Sequence, residues 1–338
     1  MPKRTRAIYG CAGTELSAAE RAFFRDTRPW GFILFARNIA DPEQVRALVS
    51  SLRETVGNDA PVLIDQEGGR VARLKPPHWK AYPPARRFGD LYAADPAAAQ
   101  EACYLNARGI AAELVALGID VDCVPVLDVP VEGANDVIGD RAFSRDPAVV
   151  AALGRTVIDA MLDGGVLPVI KHIPGHGRAN ADSHHALPRA SVSPAELRAT
   201  DFAPFRALND CPLAMTAHIV YEALDPERPA TTSQTIVREI IRGLIGFEGL
   251  LMSDDLSMNA LHGSLGERSR DALAAGCDIV LHCNGRMDEM QAVAREVPPL
   301  EGEALARADR ALAQRRTPKP FDAAAAQARV AGLLGAMV

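Results

Sequence analysis

Eight short apolar runs recur along the chain, each separated from the next by a helical or loop-like segment. They lie at Ala7–Cys11, Gly31–Phe35, Val62–Asp65, Ile119–Leu127, Val166–His172, Leu213–His218, Gly249–Asp254 and Asp278–Cys283. Several intervening segments carry recognisable helix starts. Ser17 with Glu20 makes a capping box before Arg21–Asp26. Asp41-Pro42 gives an N-cap and an N1 proline before Glu43–Val56. Ser193-Pro194 and Ser233 act similarly before Ala195–Leu208 and Thr235–Ile245. Strand–helix alternation of this kind belongs to α/β folds with a parallel sheet. An open doubly wound sheet shares the local pattern, so the count of eight strands decides for a closed (β/α)8 barrel of the TIM type.

A chain of 338 residues is long enough for two domains, but no linker divides it. The expectation is a single domain over residues 1–338, with a barrel core over about 6–300. The Ala-, Arg- and Glu-rich tail, 301–338, is expected to form helices packed outside the barrel. Arg73 to Ala94, rich in Pro, Arg and aromatic residues, reads as a long loop.

Composition narrows the function classes. With 48% hydrophobic and 24% charged residues, the chain is ordinary for a water-soluble globular protein. A net charge of −6 supplies no attraction for a polyphosphate, so nucleic-acid binding is not expected. Asp, Arg or Gly interrupts every apolar run, so no membrane span is expected. Ala7–Cys11 is too short to be the hydrophobic core of a secretion signal, which leaves Cys11 without a route to lipid modification. The six cysteines are scattered without a CxxC pair and read as small buried hydrophobes in a reducing compartment. The reading is a cytoplasmic enzyme, monomeric by default.

In such barrels function gathers where strands end and the following loops begin. Four apolar runs here finish in polar residues: at Asp65, at Lys171-His172, at His218 and at Asp254. Any one of these could be a solvated strand end or, for Asp254 or Asp255, a helix N-cap. Four at the same end point to a site. A carboxylate held at the end of a buried strand is rigidly aimed, as a nucleophile or an electrostatic partner for a developing cation must be.

The segment KHIPGHGRANADSHHALP, Lys171–Pro188, holds four of the eight histidines. His184 follows Asp182 by two residues, so a loop can bring the carboxylate to the imidazole and raise its basicity. A metal site would use His172 and His176 with Asp182 or His184, as in a zinc-dependent hydrolase. Pro174-Gly175 breaks any helical spacing between the first two, and neither a nearby cysteine nor an HExxH motif supports it. No metal or other cofactor is therefore expected.

DQEGGRVAR (Asp65–Arg73), IGDRAFSRDP (Ile138–Pro147), KHIPGHG followed by DSHHALP, and GLLMSDDLSM together resemble glycoside hydrolase family 3. The likeness is strongest to its single-domain bacterial β-N-acetylglucosaminidases (β-hexosaminidases) of cell-wall recycling. The four blocks stand in the family's order and reach from the first strands to about Met258. The resemblance implies Asp254 as catalytic nucleophile, His184 as general acid/base and Asp182 as its partner. It implies that Asp65, Arg73, Arg141, Lys171 and His172 bind the sugar, with carbohydrate as the partner. Ile173 stands where the family usually has Phe, a change expected to affect packing alone. Competing expectations are a β-glucosidase or other exo-glycosidase of the same family, a metal-dependent amidohydrolase barrel, and a catalytically dead sugar-binding protein.

Overall fold

The eight apolar runs form eight parallel strands that close on themselves. In the computed structural model, which describes residues 3–57, 59–179, 183 and 187–335, they are β1 (Thr5–Tyr9), β2 (Pro29–Leu34), β3 (Val62–Ile64), β4 (Val121–Asp122), β5 (Leu167–Ile173), β6 (Leu213–Thr216), β7 (Leu250–Asp255) and β8 (Ile279–His282). Each pairs with its successor, and β8 returns to β1, with Tyr9 opposite His282. Consecutive order around the barrel is what right-handed strand–helix–strand units produce. Closure leaves no barrel strand with an open edge. Because one face meets the barrel interior and the other the helices, β2, β5 and β6 are buried at every residue. That is why they read as continuous apolar runs rather than alternating ones.

The helix starts behave as their sequences require. Ser17 caps Ala18–Thr27, accepting the Glu20 N–H while Glu20 returns a carboxylate to the Ser17 N–H. Asp41 caps Pro42–Val56 by accepting the Glu43 and Gln44 N–H groups at 2.9 Å each. Phe24, on the first of these helices, meets Phe32 of β2 edge-to-face at 5.1 Å between ring centres. Burying such a side chain is worth roughly 1.5–3 kcal/mol, so this contact is a main fastening of helix to barrel.

Four local expectations change. Ile119–Leu127 contracts to two ladder residues, since Pro125 has no N–H to give, although Val126 still bridges to Lys171. Ala195–Leu208 splits into Pro194–Ala199 and Ala203–Ala207. Pro204 cannot continue a helix through the preceding turn, and Asp201, at the break, turns its carboxylate to Arg178. Within Arg73–Ala94, Arg86–Ala94 is a helix, because Phe88 and Leu91 at i,i+3 give it one buried face. Ile236–Leu244 is a wide helix, with Ile245 N–H bonded five residues back to Ile240 O.

The tail is helical at Gly302–Leu312 and Ala323–Gly335. The last helix packs Ala326, Val330 and Leu334 inward and pairs Arg329 with Glu101 of the helix Pro96–Ala116. All six cysteines are buried and unpaired. Among the described residues no helix is long and apolar enough to cross a membrane.

Candidate active site

A cavity of about 250 Å³ opens at the carboxyl ends of the strands. Its charged floor is built from β3 and β5 and the loops beyond β3 and β4. Lys171, 2% exposed, lies 2.7 Å from Asp65 Oδ1 and 2.7 Å from Glu67 Oε1. Arg73 donates to Asp65 Oδ2 at 3.0 Å. Arg141 grips both oxygens of Glu67 at 2.8 Å each, the bidentate geometry that guanidinium favours. Two carboxylates thus share three cations.

Burial alone would push both carboxyls up. Lys171 and Arg73 outweigh it for Asp65, and Lys171 and Arg141 hold Glu67 down at about 2. Burial likewise disfavours the Lys171 charge, but Asp65 and Glu67 raise its pKa above the ordinary lysine range. These groups are all ionised at neutral pH. Beneath them, Asp122 on β4 accepts the Gln66 N–H, and burial pushes its carboxyl up to about 8.

The turn in DQEGGR explains its glycines. Gly68 and Gly69 have φ of +94° and +56°, and a Cβ on Gly68 would come within 2.4 Å of Pro83 O. Gln66 Oε1 accepts the Arg73 and Leu74 N–H groups, closing the turn and placing Arg73 over Asp65.

Beside this floor, Asp128 organises two histidines. Its Oδ2 lies 2.7 Å from His172 Nδ1, and its Oδ1 accepts the backbone N–H of His172 and of His176. Burial would raise the Asp128 carboxyl, but the two histidines outweigh it and hold it below its usual range. The rings of His172 and His176 meet at 5.7 Å and 60°. Gly177 lets the chain pass here, since a Cβ would come within 2.1 Å of Val129 O. Arg178 then fastens the segment through Asp201, Glu196 and Thr200.

The two acids of β7 differ in their surroundings. Asp255 is tethered by the Ser257 N–H and hydroxyl and by the Cys283 N–H. The Asp254 carboxylate accepts, among the described residues, the N–H of Asp255 at 2.7 Å. Burial pushes its carboxyl up, but His218, His172, that N–H and Lys171 outweigh it and set it below the ordinary carboxylate range. His218, buried between Thr231 Oγ1 and Asp255 O, has its pKa lowered chiefly by burial.

Asp65, Arg73, Arg141, Lys171, His172 and Asp254, expected from scattered positions, all line the one cavity. Asp182 and His184 lie outside the described residues. Ser183, between them in sequence, lines the cavity, and its carbonyl accepts the Ala260 N–H.

The sequence profile of the glycosyl hydrolase family 3 N-terminal domain matches residues 11–315. The chain belongs to this family. A protein of Alkalilimnicola ehrlichii named beta-hexosaminidase is 41% identical over 295 residues, covering 86% of this chain and 84% of its own length. The structure of NagZ from Neisseria gonorrhoeae in complex with N-trifluoroacetyl-D-glucosamine is 34% identical, with a TM-score of 0.89 and 98% of both chains covered. A family 3 beta-N-acetylglucosaminidase from Paenibacillus sp. aligns with a TM-score of 0.86 at 28% identity. This chain spans 66% of that longer protein.

Sequence reasoning missed three residues of this family 3 barrel. Glu67 lies inside a motif already singled out, two positions beyond Asp65 in the strand-end loop. Gln66 is hidden by its neutrality. Asp128 ends the apolar run VPVLD, the same signal that marked Asp65 and Asp254, but two prolines obscured the strand.

Proposed function

We propose that this family 3 barrel is a retaining exo-β-N-acetylglucosaminidase that removes terminal β-linked N-acetylglucosamine from peptidoglycan fragments. The observation that carries the mechanism is the contrast within β7: both acids line the cavity, but Asp255 is tethered by three donors, whereas the Asp254 carboxylate accepts, among the described residues, the N–H of Asp255 alone. A low carboxyl pKa keeps Asp254 anionic, as a nucleophile requires. The relatives named beta-hexosaminidase support the choice of sugar.

In the first step Asp254 attacks the anomeric carbon as the glycosidic C–O bond breaks, and His184 gives its proton to the leaving oxygen. In the second, neutral His184 takes a proton from water as the water attacks the glycosyl–Asp254 ester and frees the carboxylate. An imidazole of ordinary pKa, about 6.5, serves both halves near neutral pH. Asp182 orients His184. Asp65, Arg73, Arg141, Lys171 and His172 hold sugar hydroxyls; His172, fixed by Asp128 at Nδ1, presents Nε2 to them. The chemistry runs on side chains in a single domain over residues 1–338, working as a cytoplasmic monomer. Family membership sets the amidohydrolase reading aside.

The test pairs an assay with a label. Aryl N-acetyl-β-glucosaminide should be cleaved far faster than the aryl β-glucoside, and a fluorinated slow substrate should esterify Asp254. Faster glucoside cleavage would make the protein a β-glucosidase, and a label on Asp255 would overturn the nucleophile.

A further inference from the structure

The hydroxyl-binding set proposed above leaves the acetamido group without a partner. One residue of the cavity is correspondingly unused. His176 is 3% exposed and lines the cavity, yet among the described residues neither of its ring nitrogens has a hydrogen-bond partner. A buried polar group without a partner is uncommon and destabilising, and at the wall of a binding cavity a ligand relieves it. The ring is not free to turn away. Its backbone N–H is fixed on Asp128 Oδ1 at 2.6 Å, its ring packs at 60° to that of His172, and Gly177 and Arg178 clamp the chain behind it.

Two further features say what the ring can hold. Burial first, then neighbouring His172, lowers its pKa to about 4 despite Asp128 and Asp254, so it is neutral at working pH. A neutral imidazole offers one N–H donor and one lone pair, and nothing like the carboxylate on His172 fixes which nitrogen carries the proton. It can therefore donate to an amide carbonyl or accept from an amide N–H. Its position also fits. His176 feels the charge of Asp254, and the acetamido group sits on carbon 2, next to the anomeric carbon that Asp254 attacks. The cations and carboxylates of the cavity floor (Asp65, Glu67, Arg73, Arg141 and Lys171) are already paired with one another, whereas His176 is not paired with any of them.

We infer that His176 is a further substrate-contacting residue, hydrogen-bonding the acetamido group at carbon 2 and so selecting N-acetylglucosamine over glucose. This rests on the β-N-acetylglucosaminidase reading above.

The test compares the wild type with His176→Ala and with His176→Phe, which keeps ring packing on His172 but carries no hydrogen-bonding atom. Aryl N-acetyl-β-glucosaminide and aryl β-glucoside are used with enzyme in excess, so that slow glucoside cleavage is still read. Both variants should lose about 10- to 100-fold in kcat/KM on the N-acetylglucosaminide, while the glucoside changes less than about threefold. His176→Asn, which restores a donor and an acceptor, should recover part of the loss. An equal loss on both substrates would make His176 a packing residue and overturn the inference, as would no loss on either. If Ala does not fold, the Phe and Asn variants decide alone. A wild type inactive on the N-acetylglucosaminide would instead refute the activity reading itself.

Discussion

Asp128 holds His172 by two atoms at once, its Oδ2 2.7 Å from the ring Nδ1 and its Oδ1 on the backbone N–H. An ionised carboxylate at Nδ1 keeps the proton there and turns Nε2 into an acceptor. Asp128→Asn should reverse this, because an amide NH2 donates to Nδ1 and drives the proton to Nε2. The expected loss in kcat/KM is about 10- to 100-fold, the usual scale for partners that orient a working side chain. Nitrogen NMR of the imidazole reports the tautomer directly. A switched tautomer with unchanged kcat/KM would show that His172 does not accept from substrate.

Glu67 should matter to stability as well as to activity. Glu67→Gln leaves Arg141 without its carboxylate and Lys171 with Asp65, which it shares with Arg73. Breaking such a buried network costs about 3–5 kcal/mol, readable by urea denaturation. The pH dependence follows from the depressed pKa. The contribution of Glu67 is fully present above its unfolded value of about 4.3 and lost as pH falls through about 2. Wild-type stability should therefore fall across that window more steeply than the variant's. Parallel curves would mean that the network adds nothing at Glu67.

Asp122 should behave in the opposite sense. Its folded carboxyl titrates at about 8, above the unfolded value of about 3.9. Stability is then greatest below pH 4 for this group and declines as pH rises toward 8. Asp122→Asn keeps an oxygen for the Gln66 N–H and removes the titration, so the variant should gain on the wild type steadily between those limits. Denaturation midpoints at pH 5 and pH 8 measure it. A difference that does not grow with pH would show that Asp122 is already ionised in the folded protein.

His184 is testable through the leaving group. Activated aryl leaving groups need little protonation, so the first-step loss in His184→Ala should shrink as leaving-group pKa falls. Pre-steady-state rates across an aryl series measure this. A uniform loss would assign His184 a structural role. Asp182→Ala should show the same trend more weakly, since the imidazole remains but loses its orientation.

The barrel was readable because each strand is buried on both faces and so leaves an unbroken apolar run. The ends of elements were less readable where proline acted: Pro125 shortened β4 and Pro204 split a helix whose outward pattern continues across the break. Charged residues at strand ends announced Asp65, Lys171, His172 and Asp254. What they pair with was not announced. Lys171 and Asp65 stand 106 positions apart, Arg141 and Glu67 74, and no periodicity encodes such a meeting. Nor does a sequence distinguish Asp254 from its neighbour; the difference lies in Ser257 and in Cys283, a residue on the next strand's end.

Return of β8 to β1 also fixes when the protein becomes an enzyme. Tyr9 waits for His282, a partner separated from it by most of a round of translation, and Asp255 waits for the Cys283 N–H, made only as the same final strand ends. At about 5–20 residues per second, a ribosome needs some tens of seconds to deliver that final strand. Until then β1 and β7 each keep an unpaired edge, and Asp255 lacks one of its three tethers. A truncated nascent chain ending before residue 279 therefore carries every charged group of the floor and no working centre.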